Sequence, residues 1–114
     1  MTTSPGTIPP AEALALAALI TPTEHGIASR VLAKNGGGTV TLFAFDAGES
    51  LSEHTAPFDA LVLVLDGTLT LTIGGTPVEA KPGTVVRRPA GVPHALDASE
   101  PARMLLIMLR ERTA

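Results

Sequence analysis

The stretch that most constrains this chain is residues 60–73, an apolar run followed by strict alternation. Residues 60–65 are Ala, Leu, Val, Leu, Val and Leu. The run is too short to span a membrane and too β-branched for a comfortable helix. It has the pattern of a strand buried on both faces. Asp66 and Gly67 follow, and a glycine takes the positive φ of a tight turn without steric cost. Beyond them Leu69, Leu71 and Ile73 alternate with Thr68, Thr70 and Thr72. That is period two, a strand with one face on the core. The stretch predicts a β-hairpin at the centre of the protein, with His54 just upstream.

From Ile27 onward the chain keeps this grammar of short strands and Gly/Pro turns. Strands are predicted over residues 28–34, 39–45, 51–56, 77–80, 84–88, 94–97 and 103–109. Turn clusters separate them at Asn35 to Gly38, Asp46 to Gly48, Gly74-Gly75, Lys81 to Gly83, Pro89 to Pro93 and Ser99 to Pro101. Pro57 breaks or bends its strand. A helical period is absent after Ile27, so a parallel sheet with helical crossovers is excluded. The expected class is all-β, a sandwich or barrel. Residues 1–26 are read as a flexible N-terminus followed by a short apolar helix over residues 11–20, opened by Pro9-Pro10 and closed by Thr21-Pro22. That helix is expected to cap the β-fold of residues 27–114 rather than to make a dimer contact.

Composition narrows the partners. A chain of 114 residues holds one core. Aromatics make up 3% with no Trp or Tyr, and the net charge is −3. Single-stranded nucleic acid needs stacking platforms and a basic groove, so no nucleic-acid partner is expected. Without cysteine there is no disulfide, thiolate nucleophile or cysteine metal site. There is no basic leader and no apolar segment long enough for a bilayer, so no membrane association is expected and a cytoplasmic protein is the default.

Two glycine-bounded stretches concentrate the chemistry. One runs from Gly48 through His54 to Gly67. The other is Gly83, Pro89, Gly91 and His94 at fixed spacing. With these the chain resembles a small single-domain cupin of the RmlC-like, conserved-barrel type. That family carries G-x5-H-x-H-x(3,4)-E-x6-G and then G-x5-P-x-G-x2-H-x3-N. The resemblance covers residues 27–109 and implies a double-stranded β-helix, or jelly-roll barrel, with a site inside. It also implies a metal held by three His and one Glu. Here the second His position is Ala56, the Glu position Ala60 and the closing Asn position Ala98. On a strand, residues i and i+2 share a face, so Ala56 stands where a second donor would. An ion such as zinc, manganese, iron or nickel would then be held weakly, by His54, His94 and, through a bend at Pro57, Asp59. His25 and Glu53 are expected at the surface.

The remaining candidates are ligand contacts. One of Arg87 and Arg88 is expected to face the cavity, because neighbours on a strand point opposite ways, and a guanidinium suits a carboxylate or phosphate. Phe43 and Phe45 are the aromatic surfaces on the strand they share, and Phe58 is the third in the chain. The expected function is binding of a small, anionic or neutral metabolite around His54 and His94. The alternatives are a metal-dependent enzyme of isomerase, dioxygenase or decarboxylase type, and a structural dimer with a vestigial cavity. A homodimer is expected, because residues 60–65 and 104–109 are apolar on both faces and one short N-terminal segment can cover only part of the outer one.

Overall fold

The computed structural model describes residues 7–110. Nine strands follow one another: β1 Ile27–Asn35, β2 Gly38–Phe45, β3 Ser50–His54, β4 Asp59–Asp66, β5 Leu69–Ile73, β6 Thr76–Ala80, β7 Val85–Arg88, β8 His94–Ala98 and β9 Ala102–Leu109. They form a five-stranded sheet in the order β1-β2-β9-β4-β7 and a four-stranded sheet in the order β3-β8-β5-β6. Every pairing is antiparallel. The two sheets face each other as an all-β jelly-roll barrel.

The central hairpin is corrected by this topology. β4 pairs with β7 and β9, while β5 pairs with β6 and β8. Asp66-Gly67 is therefore a step from one sheet to the other. Gly67 has φ 69°, and a Cβ there would overlap the Pro101 carbonyl oxygen and stand 2.7 Å from the Ala102 Cα. The backbone of the turn is wedged against the start of β9, which directs β5 across the barrel. Gly74-Gly75 does form a two-residue hairpin, flanked by the Ile73–Thr76 pair, with φ 57° and 82°.

Alternation then sorts the side chains. Ala60, Val62 and Val64 of β4 point inward and are at most 1% exposed, beside Phe45, Leu69, Leu71 and Met104. Leu61, Leu63 and Leu65 take the outer face. A second core lies on that face, where Leu32, Leu42 and Ala44 are buried beneath Ile8, Leu19 and Ile20. The N-terminal segment is held there by the Ile8 amide on the Leu32 carbonyl at 2.9 Å. Arg30 Nη1 donates to the Leu19 carbonyl at 3.1 Å, and Arg103 Nη1 to that of Ala17 at 3.4 Å.

The helix expected over residues 11–20 reduces to one 3-10 turn, Leu16–Ala18. Ala15 precedes it without a side-chain cap, its first turn has no acidic residue, and Ala11 has φ 60°. Without capping, so short a helix does not offset its nucleation cost. The segment instead lays Ile8, Leu19 and Ile20 on the sheet and leaves Leu14 and Leu16 exposed. Residues 1–6 of the predicted flexible terminus lie outside the described residues, as do residues 111–114. β3 stops at His54, two residues earlier than the sequence suggests, so Ala56 lies in the loop before Pro57.

The wedge at Gly67 yields a test. An L-residue in the left-handed region costs about 1–2 kcal/mol, and Gly75→Ala, whose Cβ meets nothing within 4 Å, should cost that much alone. Gly67→Ala adds the overlap with Pro101 and Ala102. It should be at least about 1.5 kcal/mol worse than Gly75→Ala in urea unfolding. Equal losses would show that the turn at Gly67 has room to relax.

Candidate functional site

The barrel encloses a cavity of about 380 Å³, open at one end. Its floor is apolar, made by Phe43, Leu71, Leu96, Met104 and Leu106. Three polar side chains reach it: His54, His94 and Arg88.

The histidines meet because β3 and β8 place them directly opposite each other. Facing residues on adjacent strands bring their Cβ atoms within about 5 Å. The Nε2 atoms are 3.0 Å apart, and the rings meet edge to face with centroids 4.2 Å apart. Each ring is also tied at the back. His54 Nδ1 lies 2.9 Å from the Ser52 carbonyl oxygen, and His94 Nδ1 lies 3.1 Å from that of Val92. A carbonyl only accepts, so each Nδ1 carries a hydrogen and donates. Both Nε2 lone pairs then turn to the cavity. His94 is 3% exposed, whereas His54 stands at the mouth. Burial pushes the His94 imidazole below its ordinary 6.5; the Val92 carbonyl opposes this, while the charges of Arg88 and His54 add to it.

The loop before His94 is pinned on three sides. Asp59 Oδ1 accepts from the Ala90 amide at 2.8 Å, the Gly91 amide donates to the Ala56 carbonyl at 2.8 Å, and the Gly74 amide to that of Pro93 at 2.8 Å. Asp59 thus does not join the histidines. It lies on the outer face, where Arg87 Nη1 donates to its other oxygen at 2.9 Å. The Ala90 N–H, and after it Arg87, holds its carboxyl below the ordinary 3.8. Its work is to anchor the loop that aims Val92 at His94.

The two arginines separate. Arg87 faces out to Asp59, and Arg88 faces in, 8% exposed. Arg88 is the register partner of Ala60, at the position where the family motif has its Glu. Its Nε is buried without a hydrogen-bond partner, and no carboxylate among the described residues pairs with it. Burial lowers its pKa below the ordinary arginine value. Phe43 lines the cavity, while Phe45 is sealed behind it at 2% exposure, the rings stacked at 5.9 Å. His25 and Glu53 are exposed. Met104 and Met108 also line the cavity, although the sequence reading did not single them out. Alternation along β9 was the available signal, since both share a face with Leu106.

A divalent ion is a poor match for this donor set. Two ligands about 2.1 Å from one ion stand about 3 Å apart at a right angle, so the imidazole spacing alone would allow one. The remaining donors are missing: Ala56 and Ala60 offer methyl groups, and no cluster of three His, Cys, Asp or Glu occurs among the described residues. A guanidinium stands where a negative charge would be needed.

Comparison with known proteins agrees with the geometry. The family description "Cupin domain" matches residues 41–108. A conserved protein of unknown function from Streptococcus pyogenes is 29% identical, superposes with a TM-score of 0.87, and the match covers 98% of each chain. A cupin superfamily protein from Desulfitobacterium hafniense is 32% identical, with a TM-score of 0.85 over 93% of this chain and 97% of its own. A cupin 2 conserved barrel domain protein from Leptotrichia buccalis is 38% identical, with a TM-score of 0.79 over 82% of this chain and 46% of its own. No curated protein matches.

The depressed His94 pKa sets a pH dependence. The unfolded imidazole takes a proton below 6.5, and the folded one only at lower pH. The unfolded state therefore binds more protons in that window, and stability falls as pH drops through it. The melting temperature should decline between neutral pH and about pH 5, well above the region where Asp59 titrates. His94→Gln should flatten that decline. An unchanged slope in the variant would show that other groups set it.

Proposed function

The chain belongs to the cupin family, and from that premise we propose that it is a small-molecule binding protein whose cavity holds an organic anion on Arg88. The observation that carries this is the Arg88 guanidinium: buried, aimed into the cavity, and with an unpartnered Nε. A buried charge without a partner costs several kcal/mol. A ligand carboxylate or phosphate would offset that cost with charge-assisted, bidentate hydrogen bonds. The cavity volume of about 380 Å³ is at the small end for metabolite sites, and its walls are apolar, as such sites are. Metal-dependent isomerase, dioxygenase or decarboxylase chemistry would ask for donors that Ala56 and Ala60 do not supply. The fold by itself assigns no reaction.

The test is calorimetry with small carboxylates on the wild type and Arg88→Met. Loss of a charged hydrogen-bond donor is worth about 1.5–3 kcal/mol, so affinity should fall at least about tenfold. Circular dichroism would confirm that the variant folds. Carboxylate binding that survives in folded Arg88→Met would overturn the reading.

A homodimer is part of the same proposal. The N-terminal segment covers the β1 side of the outer face, and Leu61, Leu63, Ile107 and the 59% exposed Val85 lie beyond its core. An apolar stripe of this kind usually marks an interface. Sedimentation should give twice the 11.7 kDa chain mass, and Leu63→Glu should return it to one chain. A wild-type mass of one chain, unchanged on concentration, would defeat the dimer.

A further inference from the structure

The histidine pair makes three close polar contacts and has too few hydrogens for them. The contacts are His54 Nδ1 to the Ser52 carbonyl, His94 Nδ1 to the Val92 carbonyl, and Nε2 to Nε2. Each contact needs one hydrogen, and two neutral imidazoles carry only two between them. With both hydrogens on the carbonyls, two lone pairs face each other at 3.0 Å. Moving a hydrogen to either Nε2 leaves an Nδ1 lone pair against a carbonyl oxygen. Some outside donor must complete the set.

Three donors could do so. A proton on the pair is opposed by the burial of His94 and by the Arg88 charge in the same cavity. A divalent ion lacks further ligands, as the donor set above shows. The third is a hydroxyl on the bound molecule. A ligand that fills the cavity displaces water from the histidines and must then bring its own donor, or leave the buried His94 acceptor unpaired.

We infer that the cavity selects a hydroxy acid: a small carboxylate on an apolar body that carries a hydroxyl. Its carboxylate accepts from Arg88, its hydroxyl shares its one hydrogen in a three-centre bond between the paired Nε2 atoms of His54 and His94, and its body rests on Phe43, Leu71, Leu96 and Met104. Arg88 supplies donors and the histidines supply acceptors, so a molecule with only one of the two groups satisfies half of the site. This inference rests on the reading of Arg88 as the anion anchor.

Matched pairs of acids test it: lactate against propionate, and mandelate against phenylacetate, each titrated into the full chain by calorimetry and by amide chemical shifts. The hydroxy acid should bind at least tenfold more tightly in at least one pair, because a site built to hydrogen-bond a hydroxyl discriminates against its absence. His54→Phe removes one acceptor at the exposed mouth and should erase the preference while retaining acid binding. Arg88→Met should weaken both members. Equal affinities within each pair, both dependent on Arg88, would overturn the hydroxyl inference and leave the anion anchor standing. Failure of every acid to bind the folded wild type would overturn the anchor and this inference with it.

Discussion

The close approach of Gly67 to Pro101 and Ala102 is the contact on which the barrel depends. Two apolar strand patterns joined by a short turn would ordinarily fold back on each other. Here the turn is jammed against the first residues of β9, which itself pairs along β4. The chain leaves one sheet and enters the other, and two sheets form in place of one long meander. Only then does each strand have an inner and an outer face. A side chain between residue 67 and β9 would separate the sheets at this corner, and the cavity lies between those sheets.

Within that frame, register decides the chemistry. His54 faces His94 across β3 and β8, and Ala60 faces Arg88 across β4 and β7. The first pairing brings two acceptors together. The second removes a carboxylate from the cavity wall and places a cation beside it. A site of the usual family pattern attracts a metal cation through negative and neutral ligands. This one presents a guanidinium and two imidazoles in place of that set. The burial of Arg88 works against stability, since its Nε is taken out of water without a hydrogen-bond partner.

Asp59 illustrates how a structural role can stand next to a chemical one. It lies one residue from the family's Glu position, yet on a regular strand that single step turns it to the opposite face. There it binds Arg87 and the Ala90 amide. The loop it anchors presents the Val92 carbonyl, which sets the tautomer of His94. Removing the carboxylate would disturb the site through the loop rather than through a lost ligand.

Much of this was legible in the sequence, and the reason is local. Strand patterns, Gly/Pro turns and the spacing of Gly83, Pro89, Gly91 and His94 depend on backbone preferences that each short segment carries by itself. They were sufficient for the all-β class, while the jelly-roll and a shared site for His54 and His94 were expectations that came from the resemblance to the cupin motifs. Alternation also dictated that Arg87 and Arg88 point opposite ways, but not which one points in. That choice depends on the β4–β7 register, which pairs residues far apart in the chain. For the same reason the sequence placed Asp66-Gly67 in a hairpin, whereas Asp59 was expected near the metal position through a local bend that β4 does not make there. The N-terminal helix shrank to one 3-10 turn because the segment has neither a capping side chain nor an acidic first turn to offset nucleation. Segment identity follows from short-range sterics and periodicity. The partnering of strands, and with it the sign of the charge in the cavity, is decided by long-range packing that only the folded chain contains.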